Sequence, residues 1–252
     1  MAKRLIESNF AVVAMENMKG NHGCWETADV DIVSAALRSW RKQHKAVKSV
    51  PLFLLGPSSG GFFATQFARH VRDTRALSIQ VSVPARDDVR APLPSGADHF
   101  PPLQLILMQK DSAKLKEAEA LVHSGEDWAG RASAELLVSH PRPVDPTFFA
   151  EGIPGLARDA SAAVRAELVR LGKVDQKNSK VLSHPRREEW REAVQRGLLD
   201  EHGKPRRNDL PQRSLSVAMD AIFARLDLAY AYHASTCEHI ESTIAFFRRS
   251  VT

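Results

Sequence analysis

Cysteine is scarce: Cys24 and Cys237 are the only two in 252 residues. One possible pair in a chain this long is no disulfide framework, so the expected compartment is a reducing one, the cytoplasm. No CxxC or HExxH occurs, which removes the usual zinc spacings. No GxxxxGK[ST] or GxGxxG occurs either, so the glycine-rich phosphate cradles are missing. No apolar run approaches the length of a bilayer span. The start, MAKRLIESNFAVVAM, is basic and then briefly apolar, but Glu7, Ser8 and Asn9 interrupt it, so it does not read as a signal peptide. No internal repeat is visible. What remains is ordinary for a soluble globular chain: 43% hydrophobic, 26% charged, net charge +5. That mild basicity permits an acidic partner without demanding one.

Five apolar runs read as buried strands: Phe10–Met15, Val50–Leu55, Ala76–Val83, Leu103–Met108 and Ala134–Val138. Between them lie helical patterns, chiefly Asp29–Lys42, Gly60–Val71 and Ser112–Val122, after a short helix at Ala2–Ser8. Strands alternating with helices of about 10 to 15 residues predict right-handed βαβ units and an α/β fold with a mostly parallel sheet flanked by helices. Continuously apolar runs agree with that, because strands covered on both faces need not alternate.

The texture changes near Pro141, where Pro141, Pro143, Pro146 and Pro154 mark an irregular connection. Helices follow at Ala160–Leu171, Arg186–Leu199, Leu215–Tyr232 and Ser235–Arg248. The expected organisation is a core at 1–140, a helical insertion or cap at 141–225 before the last helix, and a return to the core at 226–252. The insertion is basic at Arg186, Arg187, Arg191, Lys204, Arg206 and Arg207, but Glu188, Glu189, Glu192, Asp200 and Glu201 interleave. It reads as a solvated face, and nucleic acid is not the expected partner. Phe148, Phe149, Ile153 and Leu156 either line a substrate entrance or pack the insertion; Phe62 and Phe63 read as core or as an acyl-pocket wall.

The chemistry concentrates in LFLLGPSSGGFF, residues 52–63, where Gly56-Pro57-Ser58-Ser59-Gly60 matches G-x-S-x-G between a strand and a helix. A serine on so sharp a turn is held in strained backbone geometry. Glycines two before and two after it let strand and helix approach. The helix start aims backbone N–H groups at a developing oxyanion, Ser59 N–H being one. Ser58 is the better nucleophile, since choosing Ser59 would put Pro57 where a small residue is needed. Such an elbow calls for an acid and then a histidine, each after a later strand. Asp111 follows Leu103–Met108 at the strand's carboxyl end, where it could also cap the next helix. Two histidines compete as base: His233, ahead of the last helix, and His140, directly after Ala134–Val138.

These residues carry a resemblance. NFAVVAMEN followed by Cys24-Trp25, LFLLGPSSGGFF, PPLQLILMQKD, FFAEGIPGL and LAYAYHASTCEHIESTIAFF are together similar to the α/β-hydrolase superfamily, in particular to a plant and algal branch of it. The resemblance implies Ser58 as nucleophile, Asp111 as acid and His233 as base in preference to His140. It supplies no particular substrate; the expectation is a serine hydrolase of carboxylesterase type acting on a small-molecule acyl substrate, with no metal or organic cofactor implied. It also implies first strands, one bearing a His-Gly oxyanion loop, that this chain is expected to lack, since no His-Gly turn precedes Phe10. A hydrolase fold that has lost its catalysis and serves in binding is therefore the alternative expectation.

Overall fold

The computed structural model describes residues 1–17, 23–123, 133–185, 188–206 and 215–251. The protein is α/β. Four parallel strands, β1 (Leu52–Pro57), β2 (Thr74–Gln80), β3 (Leu103–Met108) and β4 (Ala134–Ser139), form one sheet in the order β1-β2-β3-β4. Helices α1 (Ala2–Glu7), α2 (Asp29–Gln43), α3 (Ser59–His70), α4 (Arg86–Arg90) and α5 (Ser112–Val122) precede or link the strands. Then come α6 (Phe148–Gly152), α7 (Arg158–Arg170), α8 (Glu188–Leu198), α9 (Leu215–Tyr230) and α10 (Ile240–Arg249). None of the described helices is long and apolar enough to cross a membrane.

Four of the five expected strands form. The fifth does not: Phe10–Met15 has no strand partner among the described residues, and Val12 and Val13 are 37% and 36% exposed. A short apolar run satisfies the pattern of a buried strand, but a strand also needs a neighbour to take its backbone hydrogen bonds. Only Phe10 engages the core, at 5.8 Å from the ring of Phe53 and 6.1 Å from that of Phe247, which themselves stack at 4.7 Å. β1 is consequently an edge strand among the described residues, half-buried along Leu52–Leu55, whereas all six residues of β3 are buried.

The chain divides into two compact units. The first comprises Met1–Leu107, Ser112–Val138 and Ser235–Thr252. Its main core joins α3 and α5 to the sheet through Ala64, Leu77, Ile79, Leu103, Leu105, Leu107 and Leu121. A polar chain runs across the same sheet: Ser78 Oγ and Thr243 Oγ1 both donate to Gln104 Oε1, at 2.8 and 2.7 Å. Gln104 Nε2 donates to Glu135, which Arg249 also reaches. Each member has a partner, which offsets the cost of burying it, and the network ties β2, β3, β4 and α10 together. Arg4 on α1 pairs with Glu241 on α10.

The second unit comprises Met108–Asp111 and Ser139–Ala234. Its core gathers Phe149, Val164, Leu168, Trp190, Val194, Leu198 and Ile222, all fully buried. Trp190, Val194 and Leu198 form one stripe of α8. Phe148, Phe149, Ile153 and Leu156 also lie in this core, each no more than 6% exposed, so they pack the unit. Glu167 on α7 accepts from Arg170, and Arg196 on α8 lies 3.4 Å away; the hydrogen bond from Arg170 holds the Glu167 carboxyl below its ordinary range. Arg225 on α9 sits 4.5 Å over the ring of Phe148, and burial, then the charge of Arg142, pushes its guanidinium down. Arg186, Arg187 and Arg207, part of the basic stretch of the sequence, lie outside the described residues.

Candidate active site

Ser58 stands between the last residue of β1, Pro57, and the first of α3, Ser59. Its backbone is left-handed, φ 50° and ψ −119°. A serine held there costs on the order of 1–3 kcal/mol, which persists only where the surroundings impose it. Backbone bonds hold both sides of the residue. The Ser58 N–H donates to the carbonyl of Gln80 on the neighbouring strand at 2.9 Å, and the Ser58 carbonyl accepts from Gly61 N–H at 2.9 Å, starting the helix. Ser58 occupies the N-cap position of α3, yet its hydroxyl does not cap the helix. The commonest structural job of a serine at this position is therefore not the one Ser58 performs. Ser59 opens α3, so its N–H is among those a helix start leaves without an intrahelical acceptor.

The glycines divide unequally. A Cβ at Gly56 would stand 2.1 Å from the carbonyl oxygen of Gly60, which is backbone and cannot step aside. A Cβ at Gly61 would stand 2.5 Å from Ile79 Cγ2 and 3.0 Å from Ser82 Cβ. At Gly60 the nearest atom is Pro57 Cδ at 3.4 Å, an ordinary contact. Thus the glycine two before the serine and the one three after it are required, and the one two after it is not. Gly56→Ala is expected to lower stability by about 4 kcal/mol, a shift in thermal midpoint of roughly 8–16 °C. Gly60→Ala, in the first turn of a helix, should stay within about 1 kcal/mol of the parent and tend to stabilise it. Thermal unfolding of the two variants side by side reads the difference, and equal losses would contradict the close approach at Gly56.

Asp111 follows β3 by three residues, and its N–H donates to the carbonyl of Met108 at 3.0 Å. It is 7% exposed. Its Oδ2 lies 3.0 Å from Nδ1 of His233, 122 residues later. The two turns are also joined through backbone, since Lys110 N–H donates to the carbonyl of Ala231 at 2.8 Å. Ala231 and His233 both have left-handed backbone, φ 56° and 38°. A turn this tight projects the imidazole from a fixed stem. The His233 side chain is 34% exposed, so one edge of the ring is directed to the carboxylate and the ring is not sealed from solvent. Gln109 and Lys110, just before Asp111, line a cleft of about 420 Å³ with Pro141, Lys180 and Val181. His140 is placed differently: its Nδ1 lies 3.1 Å from Gln109 Oε1, and the ring is exposed. Among the described residues no group of three or more His, Cys, Asp or Glu could hold a metal ion.

In the first unit, Phe63 packs against Trp25 at 4.6 Å and Phe67 at 5.7 Å, whereas Phe62 is 41% exposed and belongs to no core. Two further residues escaped the sequence reading. Gln80, which takes the Ser58 N–H, is 2% exposed at the end of β2. Val81 beside it has φ 49°, a position a β-branched side chain rarely accepts. The only hint in the sequence is a glutamine closing an apolar run, Ser78-Ile79-Gln80-Val81.

The site residues thus comprise a strained serine at a strand-to-helix turn of a parallel sheet and a buried aspartate bonded to a histidine on a tight turn. An α/β sheet of four parallel strands flanked by helices is compatible with an α/β-hydrolase and is not specific to one. Compared with protein-family models, with curated proteins and with solved structures, the chain finds no match in any of the three.

Proposed function

We propose that the protein is a serine hydrolase of carboxylesterase type that cleaves an ester-type bond through an acyl-enzyme, with Ser58, Asp111 and His233 acting together. The observation that carries this reading is the backbone of Ser58. A non-glycine residue at φ 50° on an exposed strand-to-helix turn, with glycines where no Cβ fits, is the geometry that presents a hydroxyl. The Asp111–His233 bond supports it, because a carboxylate on Nδ1 leaves Nε2 as the ring's proton acceptor.

The steps then follow. Ser58 Oγ attacks the substrate carbonyl while Nε2 of His233 takes its proton, and Asp111 steadies the imidazolium that forms. Ser59 N–H donates to the oxyanion; a single donor of this kind is worth on the order of 10² to 10³ in rate. The C–O bond to the alcohol breaks as His233 returns the proton to it. Water, deprotonated by the same imidazole, releases the acid and restores Ser58. The chemistry on this chain's own residues calls for no cofactor.

A fluorophosphonate probe followed by peptide mapping tests the reading: the adduct is expected on Ser58, with Ser59 unmodified. A correctly folded protein that takes no adduct would instead be a hydrolase-like fold used for binding.

A further inference from the structure

Gln80 makes two bonds inside the first unit, one through its backbone and one through its side chain. Through its carbonyl it accepts the Ser58 N–H, extending the β1–β2 ladder one step past Pro57, its register partner. Through its side chain it accepts, on Oε1, the N–H of Thr236 at 2.9 Å, a buried bond between residues 156 apart. Thr236 is itself pinned, its Oγ1 accepting the Glu238 N–H at 3.0 Å. In the chain it stands three residues after His233, a span of at most about 10 Å, so whatever fixes Thr236 limits where His233 can go.

The local backbone is shaped around this residue. Immediately after Gln80, Val81 keeps its ladder bond to Ile106 at 2.9 Å yet adopts φ 49°. Strain of this kind collects at functional sites, where surrounding bonds over-determine it. A Leu or Met of similar size would fill a strand end without a polar atom to bury. Packing therefore does not explain an amide that is 2% exposed. The amide carries an acceptor without a charge, which is what a buried backbone N–H requires.

We propose that Gln80 is a positioning residue of the hydrolytic site, holding the Ser58 turn by its backbone and the exit of the His233 turn by its side-chain oxygen. This rests on the serine-hydrolase reading and assigns a support to it. Gln80 touches no reacting atom; it acts through Thr236 on the placement of the base. Displacement of a catalytic group by about 1 Å can lower a rate on the order of 10²-fold, so the expected loss falls in kcat.

Gln80→Met, nearly the same size without an acceptor, is expected to lower kcat on a short-chain ester by about 10- to 100-fold with KM within about threefold. It should also speed hydrogen exchange of the Thr236 amide at least about tenfold. Gln80→Asn, which withdraws the amide by one methylene, gives the same loss as Gln80→Met and stands in for it if that variant does not fold. An unchanged kcat in Gln80→Met beside an active parent overturns the positioning role alone. Faster Thr236 exchange with unchanged kcat does the same, leaving the bond a purely structural one. If the parent itself neither turns over esters nor takes the fluorophosphonate, the hydrolase reading falls and the role of Gln80 falls with it.

Discussion

Ser58→Ala is expected to lower kcat on a simple ester by about 10⁶-fold, to the background left by binding and the oxyanion donor. Ser59→Ala should lower it by less than about tenfold. The two hydroxyls are neighbours in sequence and have the same chemistry, so the contrast isolates geometry. Ser58 alone has the left-handed backbone, between the end of β1 and the start of α3. Ser59 lies inside the helix, and its contribution is a backbone N–H that alanine retains. Initial rates on a chromogenic short-chain ester, with active-site titration to count competent molecules, read both variants. Comparable losses at the two positions would mean that the turn matters and the Ser58 hydroxyl does not, which would end the nucleophile assignment.

The parts of this fold that sequence pattern discloses are those whose burial is uniform. β3 occupies Leu103–Met108 as the apolar run says, because a central parallel strand is covered on both faces and has no polar side to confuse the pattern. β1 begins and ends two residues later than the run Val50–Leu55, since Val50 is 41% exposed and Gly56-Pro57 still pair with β2. Phe10–Met15 fails for a different reason. Hydrophobicity reports what a segment would gain from burial, and pairing depends on a partner elsewhere in the chain. The short helices α4 and α6 escape because five residues are too few for a helical period to register.

At the site, chain order nominates Ser58 and Asp111 and leaves both His233 and His140 open as the base, and residue types explain why each could serve. Order cannot supply the 3.0 Å between Asp111 and His233, nor decide between His233 and His140, which has Gln109 as its neighbour. Nor can it single out Gln80, whose two bonds run to residues 22 before and 156 after it in the chain. The motif likewise misplaces one glycine. The pattern names Gly60, while space is tight at Gly61, because the helix start rotates that position onto Ile79 of β2.

Asp111→Asn is expected to lower kcat by about 10⁴-fold with little change in KM, although it alters one atom. The carboxylate oxygen 3.0 Å from His233 Nδ1 can only accept, so Nδ1 keeps the proton and Nε2 stays open to receive another. An asparagine can turn its NH₂ toward Nδ1. That donor favours the opposite tautomer, with the proton on Nε2, where it would block the proposed transfer from Ser58. The substitution also removes the negative charge that, in the proposed mechanism, offsets the imidazolium formed as the serine attacks. Asp111 is 7% exposed, so bulk water is poorly placed to replace either contribution. The backbone bonds Lys110–Ala231 and Asp111–Met108 do not involve the carboxylate, so both turns should keep their course and substrate binding should survive. Nitrogen chemical shifts of the His233 ring, recorded beside the steady-state kinetics, check the cause as well as the size. The expected pair of results is a switched tautomer and a collapsed kcat. A switched tautomer with kcat within tenfold of the parent would show that Nε2 of His233 carries no proton for Ser58, and the base would have to be sought elsewhere in the chain.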